Sequence, residues 1–312
     1  MIKKTFTLIF VISFFLNIQM TKTAIASNVT FTEQNTDIYN LTMKRDLLCL
    51  LIAYPEYITN IEENNGYVYL VLKSGKKLIY DDKKEKNFDQ KLLNPDLQDT
   101  LEQIYPLSTV KSIMPSNFDP GRSRCYALLS EIYGSSKHTL ETNLTVVKVG
   151  YKKYQFNKNS NASHSLQSVM SELIPLSERN ETVKRCLLPC SGTFNYRVIS
   201  GTKRLSPHAF GIAIDLASDK RDYWKWASKE EGSNRLASYP SELVKVFENN
   251  GFIWGGKWSH FDILHFEYRP EIILKALYFT DSIDLNKPWY EGVSLDQLNI
   301  KTAIEKINKS IE

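Results

Sequence analysis

The sequence has little of what marks several large protein classes. Its 39 basic and 35 acidic side chains leave a formal net charge of only +4 over 312 residues. That is too weak a field to argue for nucleic-acid binding, although it would not repel an anionic polymer such as cell-wall material. Beyond the first two dozen residues no stretch is apolar enough to span a membrane, which needs about 20 such residues. No internal repeat and no low-complexity linker interrupts the chain, so a boundary read near residue 140 is a soft one. There are four cysteines, Cys49, Cys125, Cys186 and Cys190. Cys186-Leu187-Leu188-Pro189-Cys190 has no second Cys or His pair nearby, which argues against a structural zinc knuckle and leaves a local disulfide or two buried thiols. The pairing of the four is not legible.

What is present is an ordinary globular composition, 42% hydrophobic and 24% charged, long enough to bury a sizeable core in one domain or two. The first residues have the order of a secretory signal: a basic head Met1-Ile2-Lys3-Lys4, an apolar run from Phe6 to Ile18, and an Ala-x-Ala site at Ala24-Ile25-Ala26. Cleavage after Ala26 is expected. An exported mature protein from Ser27 follows, with no membrane anchor and in a compartment that permits disulfides.

Local patterns predict an α+β fold. Tyr67–Leu72 and Leu78–Tyr80 flank Ser74-Gly75 as a β-hairpin. Asp96–Tyr105 reads as a short helix ended by Pro106, Asp81–Lys86 as a solvated loop, and Asp119-Pro120-Gly121 as a turn. Helical stripes run through Cys125–Tyr133, His164–Leu173 and Ser241–Phe247, and Leu144–Val149 is a strand. Leu47–Ile52 is apolar without a readable period. The segments expected are a signal peptide over 1–26, an N-terminal α/β extension over 27–140, a catalytic domain over 141–280, and an amphipathic helical tail over 281–312.

Two stretches carry the chemistry. Phe210–Leu216 reads as a strand entered through Gly211; its period of two turns Asp215 away from the side that packs Ile212, Ile214 and Leu216. His208 lies just before it. The second stretch runs from Trp254 through a flexible Gly255-Gly256 pair to Asp262, His265 and Glu267, with His265 and Glu267 on one side of a strand. Two imidazoles and one carboxylate supply three zinc ligands and leave a fourth position for water, as a catalytic site requires. Asp262 is then placed to act as general base, and Glu267 to orient a ligand from behind.

The motifs Ser-x-His-x-x-Gly-x-Ala-x-Asp, Trp-Gly-Gly-x-Trp and Asp-x-x-His-Phe-Glu resemble the LAS group of zinc peptidases. These include the D-alanyl-D-alanine carboxypeptidases and L-alanyl-D-glutamate endopeptidases that cut peptidoglycan peptides. The resemblance covers about residues 190 to 270, with Asp119–Arg124 and Phe194–Thr202 as further points upstream. It implies a small antiparallel sheet that carries the zinc ligands with helices on its other side. It also implies Zn2+ held by His208, Asp215 and His265, and Asp262 as base where other members have Glu. Arg197 would polarise the substrate carbonyl, with Arg204 or Arg122 as alternatives.

Ser206 is expected to hold the His208 loop and to contact substrate. His260 reads either as a hydrogen-bond donor to the reacting centre or as a wall residue beside Trp258. Tyr223-Trp224-Lys225-Trp226 reads first as core packing and second as a carbohydrate-stacking platform. The expected function is D,D-carboxypeptidase action on peptidoglycan peptides by a monomer, against two alternatives: an endopeptidase, or a catalytically silent zinc-containing wall-binding module.

Overall fold

The structure, a computed structural model, describes residues 36–280 and 283–311; the expected signal peptide over 1–26 lies outside them. The chain divides into two compact units, residues 1–44 with 282–289 and residues 45–281 with 290–312. Of the smaller, the described part is the opening of a helix and the segment 283–289. The larger carries everything that follows.

The fold is α+β. The apolar run at Leu47–Ile52 is helical, the C-terminal half of α1 over 36–53, with Leu47, Leu48 and Leu50 buried. An antiparallel meander follows, β1 (Ile58–Asn64), β2 (Tyr67–Leu72) and β3 (Lys77–Ile79). In β2 burial alternates: Val68, Leu70 and Leu72 point inward. Asp81–Lys86 is not simply solvated. Lys86 is buried among Asp82, Asp96 and Asp99, its Nζ 2.6 to 3.0 Å from each, because an ammonium taken out of water requires compensating carboxylates. The helix read over Asp96–Tyr105 spans only Leu97–Leu101 (α3), after the short α2 (Phe88–Leu93).

Next come α4 (Tyr126–Tyr133), α5 (Lys137–Thr142), the hairpin β4 (Leu144–Val149) and β5 (Lys152–Asn157), α6 (Ala162–Arg179) and α7 (Glu181–Leu187). All four cysteines are buried free thiols, so no disulfide joins Cys186 to Cys190. The stretch that holds both motifs contains α8 (Pro207–Phe210), β6 (Ala213–Asp215), α9 (Lys229–Ala237), α10 (Ser241–Asn249), β7 (Phe252–Trp254), β8 (His265–Tyr268) and α11 (Pro270–Tyr278).

β6, β8 and β7 form one antiparallel sheet in that order. One face of it is aromatic core, where Phe266 stacks on Phe247 of α10 at 4.0 Å and Phe247 meets Phe252 edge to face. The other face presents His265 and Glu267. The tail helix, α12 (Leu298–Ser310), buries Ile300, Ala303, Ile304 and Ile307, whereas Leu295 and Leu298 remain exposed. Among the described residues no helix is long and apolar enough to cross a membrane.

Candidate metal centre

The first imidazole sits on one tight turn rather than on a strand. Ser206 caps α8, its Oγ accepting from the His208 backbone N–H at 3.3 Å, and Pro207 occupies the first helical position. Gly211 then ends the turn at φ 68°, and a Cβ there would press on Leu144 and the Asn157 backbone, so only glycine lets the chain swing directly into β6. The strand predicted over Phe210–Leu216 is therefore the three residues Ala213–Asp215. Ser206 is 2% exposed and its role here is to hold His208. The His208 ring is aimed from behind: Nδ1 lies 2.5 Å from the Thr193 carbonyl oxygen, so Nδ1–H donates there and Nε2 keeps its lone pair for the site.

The other two donors are delivered by strand register. Asp215 and His265 are directly paired across β6 and β8. Asp215 Oδ1 lies 2.9 Å from His265 Nδ1 and 3.2 Å from His208 Nε2, and the two imidazole nitrogens are 3.3 Å apart. A tetrahedral zinc ion with bonds of about 2.1 Å separates its donors by about 3.4 Å, so these three fit that ion with slight adjustment, and they meet as one cluster of potential metal ligands. The charge balance points the same way. Burial works to lower the basicity of His265, but the carboxylates of Asp215 and Glu267 outweigh it and raise its pKa to about 10. Burial likewise opposes ionisation of Asp215, but His208 and His265 hold it ionised well below the usual carboxylate range. The pocket thus favours a positive charge at its centre.

Asp262 lies three residues before His265 and is part-buried on the cleft floor. Burial, with the Asp215 charge adding to it, raises its pKa to about 6 against the lowering effect of His265 and His208. The preceding Gly255-Gly256 pair is not a flexible rim. Both residues are buried in a 3₁₀ turn, and a Cβ on Gly255 would collide with the Asp262 carbonyl oxygen, one on Gly256 with the Trp254 ring. Close backbone approach, not mobility, calls for glycine here.

Glu267 is fully buried. Arg124 grips its carboxylate with three hydrogen bonds of 2.6 to 3.1 Å, and Arg269 adds a fourth at 3.3 Å. Arg269 in turn binds Glu271, which accepts from the Tyr54 hydroxyl. From this lattice Glu267 Oε2 stands 3.7 Å behind His265 Nε2, an electrostatic contact longer than a hydrogen bond. Arg124, Arg269 and Thr193 were not legible as site residues; the double Arg122-x-Arg124 turn was the only hint.

A cleft of about 800 Å³ opens over the cluster. Arg197 stands exposed in its wall. Arg122 is instead tied to Asp119 at 3.0 Å. Arg204 donates through Nη1 to the Leu92 carbonyl, while its buried Nε has no partner. His260 is fixed by Asp119, whose carboxylate is 2.5 Å from Nδ1 and 3.0 Å from the backbone nitrogen. The same ring packs against Phe88 and edge-on to Trp224. Trp258 is 4% exposed, donates through Nε1 to the Pro120 carbonyl and lies 5.8 Å from the His265 ring. It is a wall under the site, too buried to offer a substrate more than an edge. Tyr223, Trp224, Lys225 and Trp226 also line the cleft, and Trp226 is 76% exposed, so the core-packing reading of that tetrad does not hold for Trp226.

A His, Asp, His donor set on an α+β scaffold, with the part-buried Asp262 beside it and an open cleft above, could hold a metal ion and is the arrangement a metallopeptidase centre requires. Residues 200–268 match the family model for D-alanyl-D-alanine carboxypeptidase. With that match, and with the relative below, the stretch that carries the cluster is similar to the LAS-type M15 peptidases, a family of zinc-dependent enzymes. Over 67 residues it is 37% identical to the peptidoglycan L-alanyl-D-glutamate endopeptidase CwlK of Bacillus subtilis (strain 168). That stretch covers 21% of this chain and 40% of the relative. No solved structure matches the chain significantly.

Proposed function

We propose that this protein is an exported zinc peptidase that hydrolyses a peptide bond in peptidoglycan stem peptides. The observation that carries the reading is the convergence of His208 Nε2, Asp215 Oδ1 and His265 Nδ1 within 3.3 Å of one another, with Asp262 on the same cleft floor. A zinc ion held by these three residues supplies Lewis acidity, which brings the pKa of water toward ~7 and polarises a carbonyl.

The remaining steps fall to the chain's own groups. Asp262, whose pKa of about 6 lets it take a proton near neutrality, removes one from the attacking water and passes it to the leaving amine. Arg197, exposed in the cleft wall, donates to the substrate carbonyl as charge develops on it. Thr193 fixes the tautomer of His208 by accepting from its Nδ1–H, and the Glu267 carboxylate favours a proton on the Nε2 side of His265 electrostatically. Arg204 and Arg122 are less suited to Arg197's role, since each already has a protein partner.

The specific bond proposed is D-Ala-D-Ala, in line with the matched family's description. The curated relative favours a second reading, cleavage between L-Ala and D-Glu. Digestion of defined muropeptides followed by mass spectrometry tests both: loss of a single terminal residue supports the first, release of the whole stem beyond L-Ala the second. A wild-type protein that binds zinc and cuts no muropeptide would be a wall-binding module instead.

A further inference from the structure

We infer that Trp226, presented by the turn Tyr223–Trp226 at the lip of the cleft, is a stacking subsite for a sugar ring of the glycan strand to which the stem peptide is attached. The inference rests on the reading of the site as a stem-peptide hydrolase and adds to it the part of the substrate held outside the metal cluster.

The turn is rigid and is registered to the site. Tyr223 is bridged to Asp262, the Trp224 N–H donates to the Phe261 carbonyl at 3.0 Å, and the Trp226 N–H closes the turn onto the Tyr223 carbonyl at 2.9 Å. Tyr223 supports the exposed indole edge to face at 5.1 Å between ring centroids. A large aromatic side chain that is 76% exposed yet fixed in this way is pre-organised, so a ligand that stacks on it loses little freedom of the protein.

The surroundings select the class of ligand. Lys225, whose Nζ lies 5.3 Å over the neighbouring Trp224 ring, and Tyr223, whose ring meets Trp226 edge to face, give the same turn both a charged and an aromatic side chain. A pyranose matches this with one C–H face and a rim of hydroxyl and amide groups. A lipid surface calls for a broad apolar patch, whereas the neighbours here include exposed Lys225, Ser228, Lys229 and Glu230.

The spacing suits a substrate bound at both ends. A closed turn keeps the Tyr223 and Trp226 Cα atoms within ~7 Å and a bridge keeps those of Tyr223 and Asp262 within ~5 Å, so the Trp226 and Asp262 Cα atoms are no more than about 12 Å apart. That is the reach of roughly three or four extended residues, the scale of a stem peptide.

The test uses wild type, Trp226→Ala and Trp226→Phe. The substrates are a free stem pentapeptide and the same peptide carried on an N-acetylglucosamine–N-acetylmuramic acid oligomer, alongside calorimetric binding of the peptide-free oligomer. The alanine variant is expected to raise KM on the glycan-linked substrate and Kd for the bare oligomer by roughly three- to tenfold, the size of one aromatic stacking contact. Its turnover of free peptide is expected to stay at the wild-type rate, and phenylalanine to recover most of the loss. Equal losses on both substrates, or an unchanged Kd for the oligomer, overturn the subsite. Binding of the bare oligomer is read without hydrolysis, so a wild type that cuts neither substrate would sink the proposed reaction and leave the subsite decided by its own measurement.

Discussion

Two carboxylates flank His265 in the chain, Asp262 three residues before it and Glu267 two after, and their surroundings are opposite. Glu267 is gripped by two arginines; burial opposes its charge, and Arg124 and then Arg269 hold it ionised well below the ordinary range. Asp262 has no arginine at its carboxylate; burial dominates and its pKa rises to about 6. Chain distance from the ligand does not separate a proton carrier from a brace. The number of cations each carboxylate meets does, because a carboxylate locked by guanidinium groups cannot accept a proton near neutral pH.

The strongest break of this contrast is at Asp262. Asp262→Ala is expected to lower kcat by roughly 10²- to 10⁴-fold, the usual worth of a positioned general base, with zinc content unchanged by metal analysis. Wild-type turnover in that variant would remove Asp262 from the mechanism. The same contrast recurs among the arginines. Arg124 is 4% exposed and spent on Glu267, whereas Arg197 stands open in the cleft wall. Arg197→Ala is therefore expected to fold normally and to lose roughly 10²- to 10³-fold in kcat, as when one donor to a developing oxyanion is removed. Steady-state kinetics beside a thermal melt separates this outcome from unfolding.

Glu267→Gln probes the other member. It leaves Arg124 buried without its counter-charge and is expected to cost about 3–5 kcal/mol of stability in urea unfolding. Zinc affinity, measured by competition with a chelator, is expected to fall by roughly 10- to 100-fold as His265 loses its support. Unchanged zinc affinity in a folded variant would show that the lattice serves the fold alone.

How far this division was legible differs between local and long-range features. The spacing of His208, Asp215 and His265 points to a ligand set, with Asp262 beside it as a base, because residue type and strand period are local properties. The helical stripe of α6 and the hairpin of β2 and β3 are legible for the same reason. The brace was not: Arg124 meets Glu267 across 143 positions, and Asp119 meets His260 across 141, distances over which no periodicity speaks. Gly255-Gly256 was misread as a flexible pair, since the sequence does not show that the Asp262 backbone passes against it. The exposure of Trp226 was hidden likewise, because apolar composition predicts burial and only the surrounding surface shows otherwise.

The smallest expected effect concerns pH and discriminates most finely between the two carboxylates. A base acts in its ionised form, so kcat/KM should fall on the acid side as Asp262 takes up a proton, about tenfold per pH unit below its pKa. That pKa is about 6 in the chain alone, set first by burial and then by Asp215 against the two histidines. A bound zinc ion adds positive charge nearby and moves it down, so the acid limb belongs at or below about pH 6 with unit slope. Glu267 contributes nothing to this limb, because Arg124 and Arg269 keep it ionised across the range. In Asp262→Ala the residual activity should therefore lose the limb, whereas Glu267→Gln should keep it with a shifted midpoint, since the Glu267 charge acts on His265 and His265 acts on Asp262. A limb that survives in Asp262→Ala would assign the titration to another group and dissolve the distinction between the two carboxylates.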